Sequence, residues 1–273
     1  VLVWLFVRDR PADLGWPSPR ESVNPSVEVI GLRESMGRVL TNRHFWPLAI
    51  WFFFDCGIFF SFGGLWGGPY LIQVYELPKD QAAHILSMIA VGMIIGSPLL
   101  SSLSTSVFKA RKPVIVISST LTLAMMLVLR YYTANIPLIG LYLICLGLGV
   151  FASAIVVIGF TANKELFPVQ MAGTATGLVN LFSFAGGAVF QPILGHVLEA
   201  QGRSGGAFTL AGYQHAFQIL LGCAAVAILP EEMSPERFEW LKTIGAEGIA
   251  TPGCESTVIS PPWRSTIWEA MPR

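Results

Sequence analysis

Charge is scarce in this chain. Only 12% of its residues are Asp, Glu, Lys or Arg, where a soluble domain carries roughly 25%. The two signs cancel to a net charge of zero. That balance excludes the basic excess on which nucleic-acid binding draws, so no nucleic-acid partner is expected. Cysteine is scarce as well. Cys56, Cys145 and Cys223 lie singly in apolar stretches and Cys254 near the end, with no CxxC or metal-ligand spacing. Small packing residues are expected there and no metal site. The chain also lacks an HExxH pair and a GxxxxGK[ST] loop, the patterns that would hold a catalytic zinc or cradle a nucleotide phosphate. Neither enzyme activity nor a cofactor is expected.

What the chain has instead is long apolar sequence. Hydrophobic residues make up 53% of it, gathered into the stretches Phe45–Trp66, Ala82–Leu103, Pro113–Tyr131, Ile136–Phe160, Ala172–Leu198 and Tyr213–Leu229. A helix rises about 1.5 Å per residue, so roughly 20 apolar residues cover a hydrocarbon core of about 30 Å. Strands of a membrane barrel would alternate in short segments, whereas these runs are continuous. The expected fold is an all-α membrane protein, a bundle of six transmembrane helices.

The ends differ from the middle. Val1–Val7 is apolar but too short to span, opens without Met, and leads straight into Arg8-Asp9-Arg10-Pro11. It reads as the end of a preceding transmembrane helix, so the chain is expected to be a fragment. Residues 8–44 are polar and broken by Pro11, Pro17, Pro19 and Pro25, as a linker would be, with a short surface helix expected over Glu34–Arg43. The bundle is expected over 45–230, closed by Pro230. Residues 231–273 form a polar tail interrupted by Pro235, Pro252, Pro261, Pro262 and Pro272, either a disordered extension or a stretch whose reading frame is not the ancestral one. Fourteen of the seventeen basic residues fall in the linker, in the tail and in the loops on their side, against Lys79, Arg130 and Arg203 opposite. Basic loops stay in the cytoplasm. Linker and tail are therefore expected to be cytoplasmic, with the bundle in the cell's inner membrane and lipid around it.

Three stretches resemble the major facilitator superfamily of secondary transporters. Arg8-Asp9-Arg10-Pro11-Ala12-Asp13-Leu14-Gly15-Trp16-Pro17 is similar to the run after the sixth helix of many members. Phe62-Gly63-Gly64-Leu65-Trp66-Gly67-Gly68-Pro69-Tyr70-Leu71 is similar to the outer end of helix seven. Asn163-Lys164-Glu165-Leu166-Phe167-Pro168 with Ala172-Gly173-Thr174-Ala175-Thr176-Gly177 resembles the entry to helix eleven. The resemblance covers about residues 1–230 and is nearest to the organophosphate and sugar-phosphate permeases. It implies the second half of a twelve-helix fold, a missing amino-terminal six-helix partner, and a small polar or anionic metabolite as substrate, moved by alternating access. Two departures stand out. The basic loop motif is reduced to Ser101–Ser106 followed by Lys109, Arg111 and Lys112, and the region around Ser61, where the organophosphate permeases carry an Arg, holds no cation. A dianionic phosphate would find no partner from this half.

Helix faces suggest where transport would be carried. Asp55 is an acidic side chain well inside a span, roughly 15 Å from Phe45 along the helix. A carboxylate there costs several kcal/mol unless paired, hydrated or protonated. It is either a group that contacts a coupling proton or cation, or a carboxyl bonded to a neighbouring helix. Phe59, Phe62 and Trp66 share its face at helical spacing. Thr176, Asn180, Ser183, Gly187 and Gln191 recur at spacings of four, three, four and four. That stripe either lines a substrate path near the midplane or glues helices together. Gly92–Gly96 and Gly173–Gly177 have the GxxxG spacing of close helix packing, and Gly187 belongs with them. His84 and His196 are expected at the interfaces. Rival readings are a self-sufficient six-helix channel or scaffold acting as an oligomer, and a membrane-embedded enzyme.

Overall fold

A computed structural model of the protein describes residues 30–232. The expected helix end at 1–7, the linker as far as residue 29 and the tail beyond residue 232 lie outside the described residues. A surface helix, α1, runs over Leu32–Thr41, offset by two residues from its expected span. It buries Ser35 and Val39 and packs on the fifth long helix.

Six helices then follow that are long and apolar enough to cross a membrane: α2 Phe45–Val74, α3 Lys79–Val107, α4 Lys112–Tyr131, α5 Leu138–Glu165, α6 Val169–Ala200 and α7, whose spanning part is Leu210–Ile228. Four of their starts follow from proline chemistry. Pro78, Pro137 and Pro168 each stand just before a helix, and Pro113 opens α4. A proline's missing N–H and fixed φ cost nothing there. The last helix does not close at Pro230, for its backbone stays helical to Glu232. A two-stranded hairpin, β1 Arg203–Ser204 with β2 Ala207–Phe208, joins α6 to α7. Its turn is Gly205-Gly206, at φ +59° and +87°, the left-handed pair that a two-residue hairpin loop requires.

Helix α2 runs eight residues past its expected end at Trp66. Phe59–Trp66 is wound as a π-helix, and Gly67–Val74 continues from it through Pro69. A wide turn already leaves carbonyls without their usual donor, so a proline just after it removes less than it would from a regular helix. Wide turns also occur at Leu103–Val107 in α3 and Ile155–Gly159 in α5. Pro98 and Pro192 lie within regular α-helical segments instead.

Two seams bring backbones close. Between α3 and α5, a methyl group at Gly92 would meet the Leu146 carbonyl and one at Gly96 the Val150 backbone, while Gly149 abuts the Ile89 carbonyl. Between α2 and α6, Gly186 lies on the Phe53 carbonyl, Gly57 on the Phe190 ring and Gly187 on the Phe60 ring. Small residues permit this approach in lipid, where no hydrophobic effect drives helices together. The other GxxxG pair behaves differently. Nothing described lies within 4 Å of a Cβ at Gly173 or Gly177, so neither is a packing glycine within this bundle.

Candidate functional site

Asp55 lies in the third turn of α2 and is only 6% exposed. It borders a small, partly open cleft lined by Ile58, Phe59, Phe62 and Gly63 of its own helix, Ile89 of α3, Thr122 of α4, and Leu148 and Ala152 of α5. Among the described residues its carboxyl has no hydrogen bond and no ion pair. One turn earlier, Trp51 Nε1 donates to Ser119 Oγ of α4 at 2.9 Å. That bond keeps α2 and α4 in register and sets Thr122 at the depth of Asp55. The Ser118 hydroxyl, one turn back from Thr122, is buried without a partner.

The polar stripe of α6 does not reach this cleft. Gln191 Nε2 donates to the Phe60 carbonyl at 2.9 Å, and Trp66 Nε1 donates to the Gln191 carbonyl at 3.0 Å. These two bonds fasten α6 to the wide turn of α2. Ser183 is buried with its hydroxyl unpartnered, and Thr176 returns its hydroxyl to the Ala172 carbonyl at 2.7 Å. Asn180 is exposed, next to Leu181 at 62% exposure. The stripe therefore divides between a fastened part around Gln191 and an open part around Thr176 and Asn180.

Phe59 and Phe62 line the cleft with Asp55, whereas Trp66 turns to α6. The wide turn causes this. A π-turn takes more residues than an α-turn, so spacing counted at 3.6 residues per turn loses its face across Phe59–Trp66. His84 and His196 are both exposed.

At one end of the bundle Arg111 pairs with Glu165 at 3.0 Å and donates to Ser104 Oγ at 3.0 Å. This holds the α3–α4 loop to the end of α5. At the other end Gln73 Oε1 accepts from the Phe208 N–H at 3.0 Å and the Tyr213 hydroxyl at 2.9 Å. Tyr70 donates to the Thr133 carbonyl at 2.6 Å, and Tyr75 accepts from the Ile136 N–H at 3.0 Å. Gly202-Arg203-Ser204-Gly205-Gly206 fits the bare GxSxG pattern. It forms the exposed hairpin, with none of the strand-to-helix elbow which that pattern needs for a nucleophile.

Sequence reasoning missed Thr122, Gln73 and the Arg111–Glu165 contact. Thr122 had a visible sign in Ser118-Ser119-Thr120-Leu121-Thr122, a polar run inside an apolar helix. No cation of the described chain stands mid-helix: Lys79, Lys112 and Lys164 lie in the first or last turns of their helices, as does Arg130.

A family model described as Major Facilitator Superfamily matches residues 1–191. The chain is 26% identical over 219 residues to the glycerol-3-phosphate transporter of Bacillus subtilis, covering 75% of this chain and 48% of that protein. It is 27% identical over 246 residues to a probable hexose phosphate transport protein of Chlamydia trachomatis, covering 82% of this chain and 51% of that protein. The chain thus spans about half the length of the curated relatives it matches.

Proposed function

The chain belongs to the major facilitator superfamily, and from that membership we propose that it supplies one six-helix half of a secondary transporter for a small polar or anionic metabolite. The observation that carries this reading is the family match, laid over six spanning helices and half the length of two phosphate-ester transporters. The half is the carboxy-terminal one, by the order of its three motifs. Its substrate sits between this bundle and an amino-terminal partner, and the two alternate in exposing it to either side. The open part of the α6 stripe, Thr176 and Asn180, faces that path, with the Ser183 hydroxyl one turn further along.

The interior of this half offers no cation at mid-depth among the described residues. A bidentate arginine clamp is the usual partner of a phosphate dianion. The anionic charge of the substrate is then met by the other half, or the substrate carries less charge than a phosphate ester. The cation asymmetry supports a cytoplasmic position for residues 8–44 and 231–273, with the bundle in the inner membrane.

Counterflow tests the reading. The full-length protein in liposomes is preloaded with glycerol 3-phosphate, glucose 6-phosphate, inorganic phosphate or a dicarboxylate, and entry of the labelled compound is followed. Saturable counterflow of one compound, reduced by Asn180→Leu, is the expected result. Absence of counterflow for the whole panel by correctly inserted protein would overturn it. For orientation, single cysteines at Ser22 and Ser256 should react with an impermeant reagent only from inside, and one at Gln201 only from outside.

A further inference from the structure

We infer that Asp55 and Thr122 form a proton-binding site inside the bundle, separate from the α6 face that the substrate path uses. Three observations meet here. First, the Asp55 carboxyl is buried to 6% exposure with no cation and no hydrogen-bond donor on it among the described residues. Second, the cleft it borders draws its lining from α2, α3, α4 and α5 and takes no residue of α6. Third, the Thr122 hydroxyl in that lining is uncommitted. Thr120, Thr161 and Thr176 return theirs to the carbonyl four residues back. Thr122 makes no such bond and is 6% exposed.

The chemistry of the lining identifies the ligand. Metal cations held by oxygen ask for about six ligands. This cleft offers two carboxylate oxygens and one hydroxyl, and its other walls are Ile58, Phe59, Phe62, Gly63, Ile89, Leu148 and Ala152. A proton needs one oxygen, and the Thr122 hydroxyl can bond either form of the acid. A proton passes from a water in the cleft to one carboxylate oxygen, taking the group from −1 to neutral. It leaves by the reverse step. No other titratable group faces the carboxyl from α3, α4 or α5. On α2 the neighbour Cys56 is buried, and α6 contributes only Ser183 beside that thiol.

The site communicates with the substrate path through α2 itself. Phe59 and Phe62 line the cleft within the same wide turn whose Phe60 carbonyl and Trp66 indole are tied to Gln191 of α6. A change of charge at Asp55 therefore acts on the α2–α6 connection and not on the substrate directly. That coupling role rests on the transporter reading above; the site itself can be read without transport.

Infrared difference titration of the full-length protein in lipid nanodiscs, in H₂O and D₂O, is the test. A protonated carboxyl in an apolar cleft gives a C=O stretch separate from the amide bands. The expected result is a titrating band that Asp55→Asn removes, Asp55→Glu restores at a shifted frequency, and Thr122→Val moves upward, because the protonated acid then has no Thr122 hydroxyl to donate to its C=O. The band should be the same in sodium and potassium salts. A band unaffected by Asp55→Asn, or unmoved by Thr122→Val, would overturn the site. A band displaced by sodium alone would overturn the choice of ligand. Failed counterflow with an intact band would count against the transporter reading and leave this site standing.

Discussion

Toward α6, helix α2 is closed at every level. Gly57, Gly186 and Gly187 bring the two backbones together, and Gln191 and Trp66 fasten the far end of that seam with two hydrogen bonds. Toward α3, α4 and α5 the same helix leaves a cleft, with a carboxyl and a hydroxyl that bond to nothing described. In lipid, packing and interhelical hydrogen bonds are what hold helices together. On the α6 face the Gln191 amide and the Trp66 indole find partners, while the Ser183 hydroxyl does not.

The largest effect should come from forcing the closed face open. In Gly186→Leu the new side chain meets the Phe53 carbonyl and the Gly57 N–H, both backbone and unable to swing aside. Overpacking of this kind costs about 3 kcal/mol or more when helices must part. The variant of the full-length protein should aggregate on solubilisation, as size-exclusion profiles would reveal. A monodisperse protein of unchanged melting temperature would mean that this seam is not close-packed.

Opening the other face should spare the fold and strike function. Asp55→Asn keeps the shape and removes ionisation, so accumulation driven by a pH gradient should fall to the level without a gradient while the melting temperature stays near that of wild type. Gradient-driven uptake at wild-type levels would remove the contrast between the two faces. Gln191→Leu should fall between these cases. It strips the Phe60 carbonyl of its donor in the wide turn, which costs about 1 kcal/mol in a membrane setting. Thermal unfolding in detergent, with Trp66→Phe as the companion that removes only the second bond, would measure it.

These contrasts were only partly legible in the sequence. The six spans could be found because hydrocarbon demands an unbroken apolar run, a property of composition alone. The end of α2 was missed because Gly67-Gly68-Pro69 looks like a breaker, and only a wide turn lets the helix absorb it. The same turn misplaced Trp66, which shares a face with Asp55 at 3.6 residues per turn and leaves it across a π-turn. Thr122 stood in a visible polar run, but its place beside Asp55 was not legible. Its place depends on the register of α4 against α2, which the Trp51–Ser119 bond sets and no local pattern encodes.

The last contrast, whose smallest member is Gly177→Ala, separates two pairs that look alike on paper. Gly92–Gly96 and Gly173–Gly177 have identical spacing, yet only the first touches another helix in this bundle. A methyl at Gly92 would meet the Leu146 carbonyl and the Val150 N–H, so Gly92→Ala must push α3 from α5. At Gly177 it would enter open space, and an exposed helix gains up to about 1 kcal/mol when alanine replaces glycine. Melting curves of the full-length protein should therefore show a loss for Gly92→Ala and no loss for Gly177→Ala. The pair matters more than either variant alone. Equal losses would mean that something outside the described residues lies on the α6 face as closely as α5 lies on α3. In that case the polar stripe from Thr176 to Asn180 would be covered in the resting protein, and the substrate path would have to be sought elsewhere.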